Sequence, residues 1–529
     1  MRSYVRLAPL LAAMTLFLLF APVVTPIVAQ DPPTNAHPQE QSSKPADQKV
    51  APPAETPKEE SSVTDHTIHI DGQTISYKAV ASMTFIRDEK GEPTALMFST
   101  AYTRSDAKDV SQRPIAFLYN GGPGSSSAWL HMGAFGPRRV TTANASATPP
   151  PPYAVEENSY CLLDKADLVF IDPVGTGYSH AVGKAQDKDF WGVDSDVQSI
   201  GQFINTYISR NNRWNSPKYL IGESYGTFRS AALANYLQSN DGIYLNGIVL
   251  MSTVLDMDTL SFNPGEDISY ILYLPSYAST AWYHKALKDP PGDLNEFLKE
   301  ARQFASGEYA GALMKGSTLS DSEKATVAQK LARFTGLSED YLMKANLRVS
   351  LSQFEAELQR SQGLITGRLD ARYSGAMVDR LSEHAEYDPL LAATTGPFTA
   401  AFNTYVRDEL KFSQDRKYEL LSGRPADQWD WKHRGGGGFP GSPNVERDLV
   451  QALVANPHLE VQVENGLFDL ATPFYATEYT MNHLELPASL VKNIHMEYYD
   501  AGHMMYLVNE SLAKLKDNIA AFIDTAAKH

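Results

Sequence analysis

Residues 218–237, KYLIGESYGTFRSAALANYL, constrain the fold of this chain more than any other stretch. Four residues of strand character lead into Gly222-Glu223-Ser224-Tyr225-Gly226. Phe228 through Leu237 then runs without proline or glycine and reads as a helix. The bare pattern G-x-S-x-G is weak, because it arises by chance about 0.2 times in a chain of this length. The setting is what makes it specific. A serine at a sharp strand-to-helix turn has its hydroxyl lifted clear of the sheet, with the helix N-terminus aimed at it. The flanking glycines leave room where neighbouring backbone would crowd a Cβ. Such a turn needs a sheet around it, so further strands of the same kind are expected.

They are present. Apolar runs at 115–119 (IAFLY), 166–171 (ADLVFI) and 245–251 (LNGIVLM) alternate with helical patterns. One of these puts Val193, Val197, Ile200, Ile204 and Ile208 on a single face. Nearly continuous apolar strands between helices indicate a mainly parallel sheet covered on both faces. Before it, residues 66–102 alternate with period two around Asp71-Gly72 and Lys90-Gly91, which predicts antiparallel hairpins. The alternation stops over 263–447, where helical segments such as 293–305 and 320–331 and the flexible run Gly435-Gly436-Gly437-Gly438 indicate a largely helical cap insertion. Sheet sequence returns at 458–464 and 491–499. A last amphipathic helix carries Leu512, Leu515, Ile519, Phe522 and Ile523. The expected organisation is a core of 63–262 and 448–529 interrupted by the cap at 263–447.

The first 29 residues read as a secretory signal peptide. Arg2 and Arg6 precede an apolar run from Leu7 to Val24, and the segment Thr25-Pro26-Ile27-Val28-Ala29 after it ends in a small residue suited to cleavage. An uncleaved anchor is the alternative, with a run at the short end for a bilayer of ~30 Å. Residues 30–62, rich in Pro, Gln, Glu, Ser and Lys, read as a disordered linker. A secreted or periplasmic location follows, with no stable membrane association after cleavage. Loss of the two arginines takes the formal charge from −16 to −18, which argues against nucleic acid as a partner. The single cysteine, Cys161, allows no internal disulfide and reads as a small buried side chain.

A serine hydroxyl needs a base, and the base needs an orienting acid. Asp469 follows the strand at 458–464, and His503 follows the strand at 491–499. Both therefore lie at strand ends, in the order Ser, Asp, His. Asn120-Gly121-Gly122-Pro123-Gly124 follows the strand IAFLY and can offer backbone N–H groups to an oxyanion. It lacks the G-K-[ST] of a phosphate loop. No residues at metal-ligand spacing are evident and no cofactor is expected. His66 and His69 read as a surface pair.

NGGPGSSS, FIDPVGTGYS, GESYG, NGLFDLATP and DAGHM, in this order, resemble the serine carboxypeptidase family, and its bacterial branch most. The resemblance covers roughly residues 65–525. It implies an α/β-hydrolase fold and release of C-terminal residues from peptides or proteins. It further implies Ser224 as nucleophile, His503 as base and Asp469 as acid, with Gly122 and Tyr225 N–H groups as the oxyanion hole. Asn120, Gly121 and Glu223 would hold the substrate carboxylate, and Met504 would line the pocket of the departing residue. Three positions depart from the family pattern. Ser125 stands for a cysteine, Leu467 for an aspartate, and Ala134 for a glutamate of the carboxylate-binding network. The last keeps an esterase or acyltransferase on the same fold in play. The intact Ser–Asp–His set argues against a non-catalytic binding protein. Side-chain preference and oligomeric state are not encoded in these motifs.

Overall fold

The computed structural model describes residues 57–434 and 443–527, all within the unit Pro57–His529. The signal segment, most of the linker and the Gly435–438 run lie outside the described residues. Nine strands carry the sheet: β1 (Ser61–Ile70), β2 (Gln73–Arg87), β3 (Pro93–Arg104), β4 (Ile115–Tyr119), β5 (Asp167–Ile171), β6 (Lys218–Glu223), β7 (Gly247–Met251), β8 (Glu460–Gly466) and β9 (Ile494–Tyr499). Their order is β1-β2-β3-β5-β4-β6-β7-β8-β9, with the two-residue strand His180–Ala181 also paired to β3. β1 to β3 and the β3–β5 pair are antiparallel, and every pair from β5 to β9 is parallel. The β1–β2 turn is Asp71-Gly72, both at positive φ, as a tight hairpin requires. β1 begins at Ser61, two residues inside the expected linker, where Ser61 and Ser62 pair with Ser82 and Ala81.

Both faces of the parallel strands are covered, which explains their continuous apolar character. Leu220, Ile248 and Leu250 pack against helices Val193–Arg210, Tyr225–Asp241 and Glu446–Ala455. Ile221, Val249 and Met251 face the terminal helix Asn509–Ala526 through Leu512, Leu515, Ile519 and Phe522. A third apolar cluster lies in the insertion. Tyr277, Phe297, Phe304, Phe334 and Phe354 join Leu467, Phe468 and Leu470 from the loop after β8. Leu467 is thus apolar because it packs into the insertion, and its carbonyl accepts a hydrogen bond from Ser279 Oγ at 2.6 Å.

The insertion is not helical to its end. Beyond helix Pro389–Asp408 the described chain is mostly irregular, with one short helix at Gly423–Gln428, and it pairs with the core at isolated bridges. Leu421 bridges Ser125, Glu419 bridges Gly177, Asp430 bridges Gly192 and Asn444 bridges Asp256. This strap holds the glycine-rich loop by backbone pairing, with Ser422 N to Gly124 O at 2.9 Å and Ser126 N to Leu420 O at 3.0 Å. Trp429 and Trp431 of the strap pack edge-on against Tyr225. Apolar contact with the core outweighs helix propensity here. Among the described residues, no helix is long and apolar enough to cross a membrane.

Candidate active site

Ser224 sits between β6 and the helix Tyr225–Asp241 at φ 60°, ψ −130°. A non-glycine residue held there costs on the order of 1–3 kcal/mol. Its N–H bonds the Met251 carbonyl at 2.9 Å, which ties the turn to the next strand. A Cβ on Gly222 would lie 2.3 Å from the Gly226 carbonyl, and one on Gly226 would lie 3.0 Å from the Tyr119 carbonyl. Both glycines are therefore required by close backbone approach. A Cβ on Gly121 would lie 2.3 Å from Tyr225 N, so the glycine-rich loop after β4 presses directly on the elbow. Neither Gly122 N–H nor Tyr225 N–H donates to another described residue. Two free donors side by side can meet an oxyanion.

Asp469 and His503 arrive on the loops after β8 and β9. Asp469, fully buried, accepts through Oδ1 from Ala471 N at 2.8 Å and Thr472 N at 3.0 Å. Through Oδ2 it accepts from Thr472 Oγ1 and from His503 Nδ1, each at 2.7 Å. Both oxygens being acceptors, Nδ1 carries the hydrogen and Nε2 is left with its lone pair. Burial opposes the charged form of His503. The charge and hydrogen bond of Asp469, joined by the charge of Glu223, outweigh it and raise the imidazole above its ordinary value.

Asn120 and Glu223 meet as expected, with Asn120 Nδ2 donating to Glu223 Oε1 at 2.8 Å. Glu223 Oε2 is buried without a hydrogen-bond partner. Burial is the main cause that pushes this carboxyl up to about 7, against the lowering effects of His503, Tyr506 and Asn120. Met504 follows His503 and is buried in the main core cluster. Ala134 is buried on the segment His131–Phe135, and its carbonyl accepts from Asn158 Nδ2 at 2.8 Å.

Three contributors carried no signal in the sequence. Tyr506 is fully buried, and its hydroxyl stands beside Glu223 and Asn120 without a hydrogen bond of good geometry. Arg229, also buried, donates to the Asn120 carbonyl at 2.8 Å and to Asp196 at 2.6 Å, and lies over the Tyr119 and Tyr225 rings. It joins the glycine-rich loop to the elbow. Residues 368–371 of the insertion bind the other two loops. Leu470 N donates to Arg368 O, Ala371 N to Phe468 O and His503 N to Leu369 O, at 3.0, 2.9 and 2.6 Å. The buried Asp370–Arg372 ion pair stiffens that segment. The expected surface histidines go to separate partners, His66 to Thr64 Oγ1 and His69 to Glu157 Oε1.

The sheet order, with the glycine-flanked turn after a central parallel strand and acidic and imidazole groups on the two following strand ends, defines an α/β-hydrolase fold. Within that fold the chain belongs to the serine carboxypeptidase family, whose model matches residues 85–516. The retinoid-inducible serine carboxypeptidase of Homo sapiens is 30% identical over 135 residues, 25% of this chain and 26% of that protein. The pheromone-processing carboxypeptidase KEX1 of Saccharomyces cerevisiae is 30% identical over 145 residues, 26% of this chain and 19% of that protein. These alignments span about a quarter and about a fifth of the curated relatives' own length. The crystal structure of the Saccharomyces cerevisiae prohormone-processing carboxypeptidase Kex1 shares the fold, with a TM-score of 0.52 at 17% identity over 86% of this chain and 91% of that one.

Proposed function

We propose that this protein is a secreted serine carboxypeptidase that releases C-terminal residues through an acyl-enzyme on Ser224. His503 Nε2 takes the Ser224 proton as Oγ attacks the scissile carbonyl, and Asp469 steadies the imidazolium through Nδ1. The Gly122 and Tyr225 N–H groups receive the developing oxyanion. The imidazolium then protonates the departing amine. A water activated by the same imidazole hydrolyses the ester and restores the hydroxyl.

The observation that favours a carboxypeptidase over a general esterase is Glu223, one residue before the nucleophile. It is a buried carboxyl with Oε1 bonded to Asn120 and Oε2 unpartnered. Protonated, it can donate to the free C-terminal carboxylate of a peptide, with Asn120, the Gly121 backbone and Tyr506 around it. Met504 would then border the pocket of the departing residue. Export rests on the basic, apolar and small-residue pattern of residues 1–29. N-terminal sequencing of the exported protein should begin at Gln30.

The test is hydrolysis of N-blocked dipeptides beside their C-terminal amides. A preference for the free acids is expected, and Ser224→Ala should remove turnover. A preference for the amides, or activity on simple esters alone, would transfer the assignment to an esterase or acyltransferase, the reading that Ala134 keeps in play. Turnover retained by Ser224→Ala would refute the nucleophile.

A further inference from the structure

Among the described residues, Arg368 is an arginine without an ion pair on the segment that is bonded to the loops of the candidate acid and base. Its carbonyl accepts from Leu470, the residue after Asp469, and its neighbour Leu369 accepts from the backbone of His503. Its side chain therefore starts within one residue of both loops. It is exposed, and its guanidinium makes no hydrogen bond or ion pair among the described residues. It lies within electrostatic reach of the His503 ring and of Tyr273. Four other arginines of the insertion are engaged. Arg302 pairs with Glu478, Arg348 with Asp267, Arg360 with Glu357 and Arg372 with Asp370.

Asp388 and Glu355 lie near Arg368, and the Arg368 charge reaches Glu355, but neither forms an ion pair with it among the described residues. Asp388 spends its oxygens on backbone amides, Oδ2 on Arg368 N and Leu369 N and Oδ1 on Leu391 N. Glu355 is buried behind it, forms no ion pair, and is pushed up to about 8, mainly by burial, so it is uncharged at neutral pH. Arg380 and Arg447 are also exposed without an ion pair among the described residues, and Arg368 differs from them in its attachment to the two loops that carry Asp469 and His503. An exposed guanidinium on that segment, its charge reaching the His503 ring, has the fork geometry to take a carboxylate from a ligand.

We propose that Arg368 forms a second carboxylate subsite, which selects peptides with an acidic side chain on a residue flanking the scissile bond. This rests on the peptidase reading given above. The peptide's C-terminal carboxylate is already provided for by Glu223 and Asn120, so the group left for Arg368 is the side chain of a glutamate or aspartate.

The experiment compares N-blocked dipeptides that differ only as Glu against Gln, at either residue of the scissile bond, in the wild type and in Arg368→Gln and Arg368→Glu. For at least one of the two positions the Glu/Gln ratio of kcat/KM should be about tenfold, the size of one charge-assisted hydrogen bond in a partly solvated site. It should fall towards one in Arg368→Gln and below one in Arg368→Glu. A ratio near one at both positions in the wild type, or one that survives Arg368→Gln, overturns the proposal. So does a loss in Arg368→Gln that is equal for Glu and Gln peptides and absent for their C-terminal amides, which would mean that Arg368 takes the C-terminus itself. Calorimetric binding of the same dipeptides to Ser224→Ala, with and without Arg368→Gln, reads the subsite without turnover. A Glu preference there that depends on Arg368 supports the subsite even if no peptide is cleaved, and its absence overturns it.

Discussion

On the proposed role of Glu223, KM for free-acid peptides should depend on pH. Its carboxyl is buried, bonded to Asn120 on one oxygen and unpartnered on the other, and pushed up to about 7 from an ordinary 4.5. Below that value it keeps its proton and can donate to a substrate carboxylate. Above it, two anions would share a dry site. Binding competence then follows the protonated fraction, so the apparent affinity falls about tenfold for each pH unit above 7, and KM rises about tenfold between pH 6 and pH 8. Steady-state kinetics on one N-blocked dipeptide and its amide gives the answer. The amide's KM should stay flat, and Glu223→Gln should flatten the free-acid profile because its amide donates at every pH. The same shift makes a statement about the empty enzyme. Below 4.5 both folded and unfolded forms hold the proton. Between 4.5 and 7 only the unfolded form releases it, so stability present at low pH is lost as pH rises through that window. The loss reaches about 3 kcal/mol, and Glu223→Gln should be the more stable protein by up to that amount above pH 7 and equal to the wild type near pH 4. A free-acid KM that is flat from pH 6 to pH 8, or that rises equally in Glu223→Gln, would refute the reasoning.

Other consequences are equally direct. Since the Glu223 charge adds to that of Asp469 in raising His503 against burial, Glu223→Gln should move the acid limb of kcat/KM, which reports the free enzyme, to lower pH, where an unmoved limb would uncouple the two groups. Thr472→Val removes the hydroxyl that donates to Asp469 Oδ2 at 2.7 Å; a hydrogen bond to a buried charge is worth about 1.5–3 kcal/mol, so urea unfolding and kcat should both register the loss. Gly222→Ala sets a methyl 2.3 Å from the Gly226 carbonyl, and Ser224 in that variant should no longer be labelled by a fluorophosphonate. Cys161 is buried, which pushes its thiol up to about 12, so alkylating reagents should modify it only after unfolding.

The parallel strands were legible because their two covered faces leave no polar alternation to confuse the pattern, and β4 coincides with the apolar run at 115–119. The elbow was legible because Gly222 and Gly226 answer to backbone contacts that a Cβ would break. The departures from the family pattern were visible as letters only. Leu467 needed its packing partners in the insertion, and Ser125 needed its bridge to Leu421. The strap after helix Pro389–Asp408 was hidden for the same reason. Trp429 and Trp431 have no period of their own, and their partner Tyr225 lies two hundred residues away in a different element.

Residues 368–371 show why the insertion resists being read as a cap alone. Its backbone, through three hydrogen bonds to Phe468, Leu470 and His503, spans the two loops that carry the candidate acid and base. Carbonyls and amides have no sequence identity, so no motif marks such a segment. Its rigidity comes from the buried Asp370–Arg372 pair, with Asp370 Oδ2 also accepting from Gly502 N at 3.3 Å. Breaking a buried pair by removing one partner's charge costs about 3–5 kcal/mol. Part of that loss should fall on the relative placement of Asp469 and His503, because a Cβ on Gly502 would already lie 2.4 Å from Asp370 Cβ and leaves the loop no room to rearrange. The insertion thus joins specificity to chemistry. One short segment holds the loops of the candidate acid and base with its backbone and, in the subsite proposed above, would offer Arg368 to the substrate with its side chain.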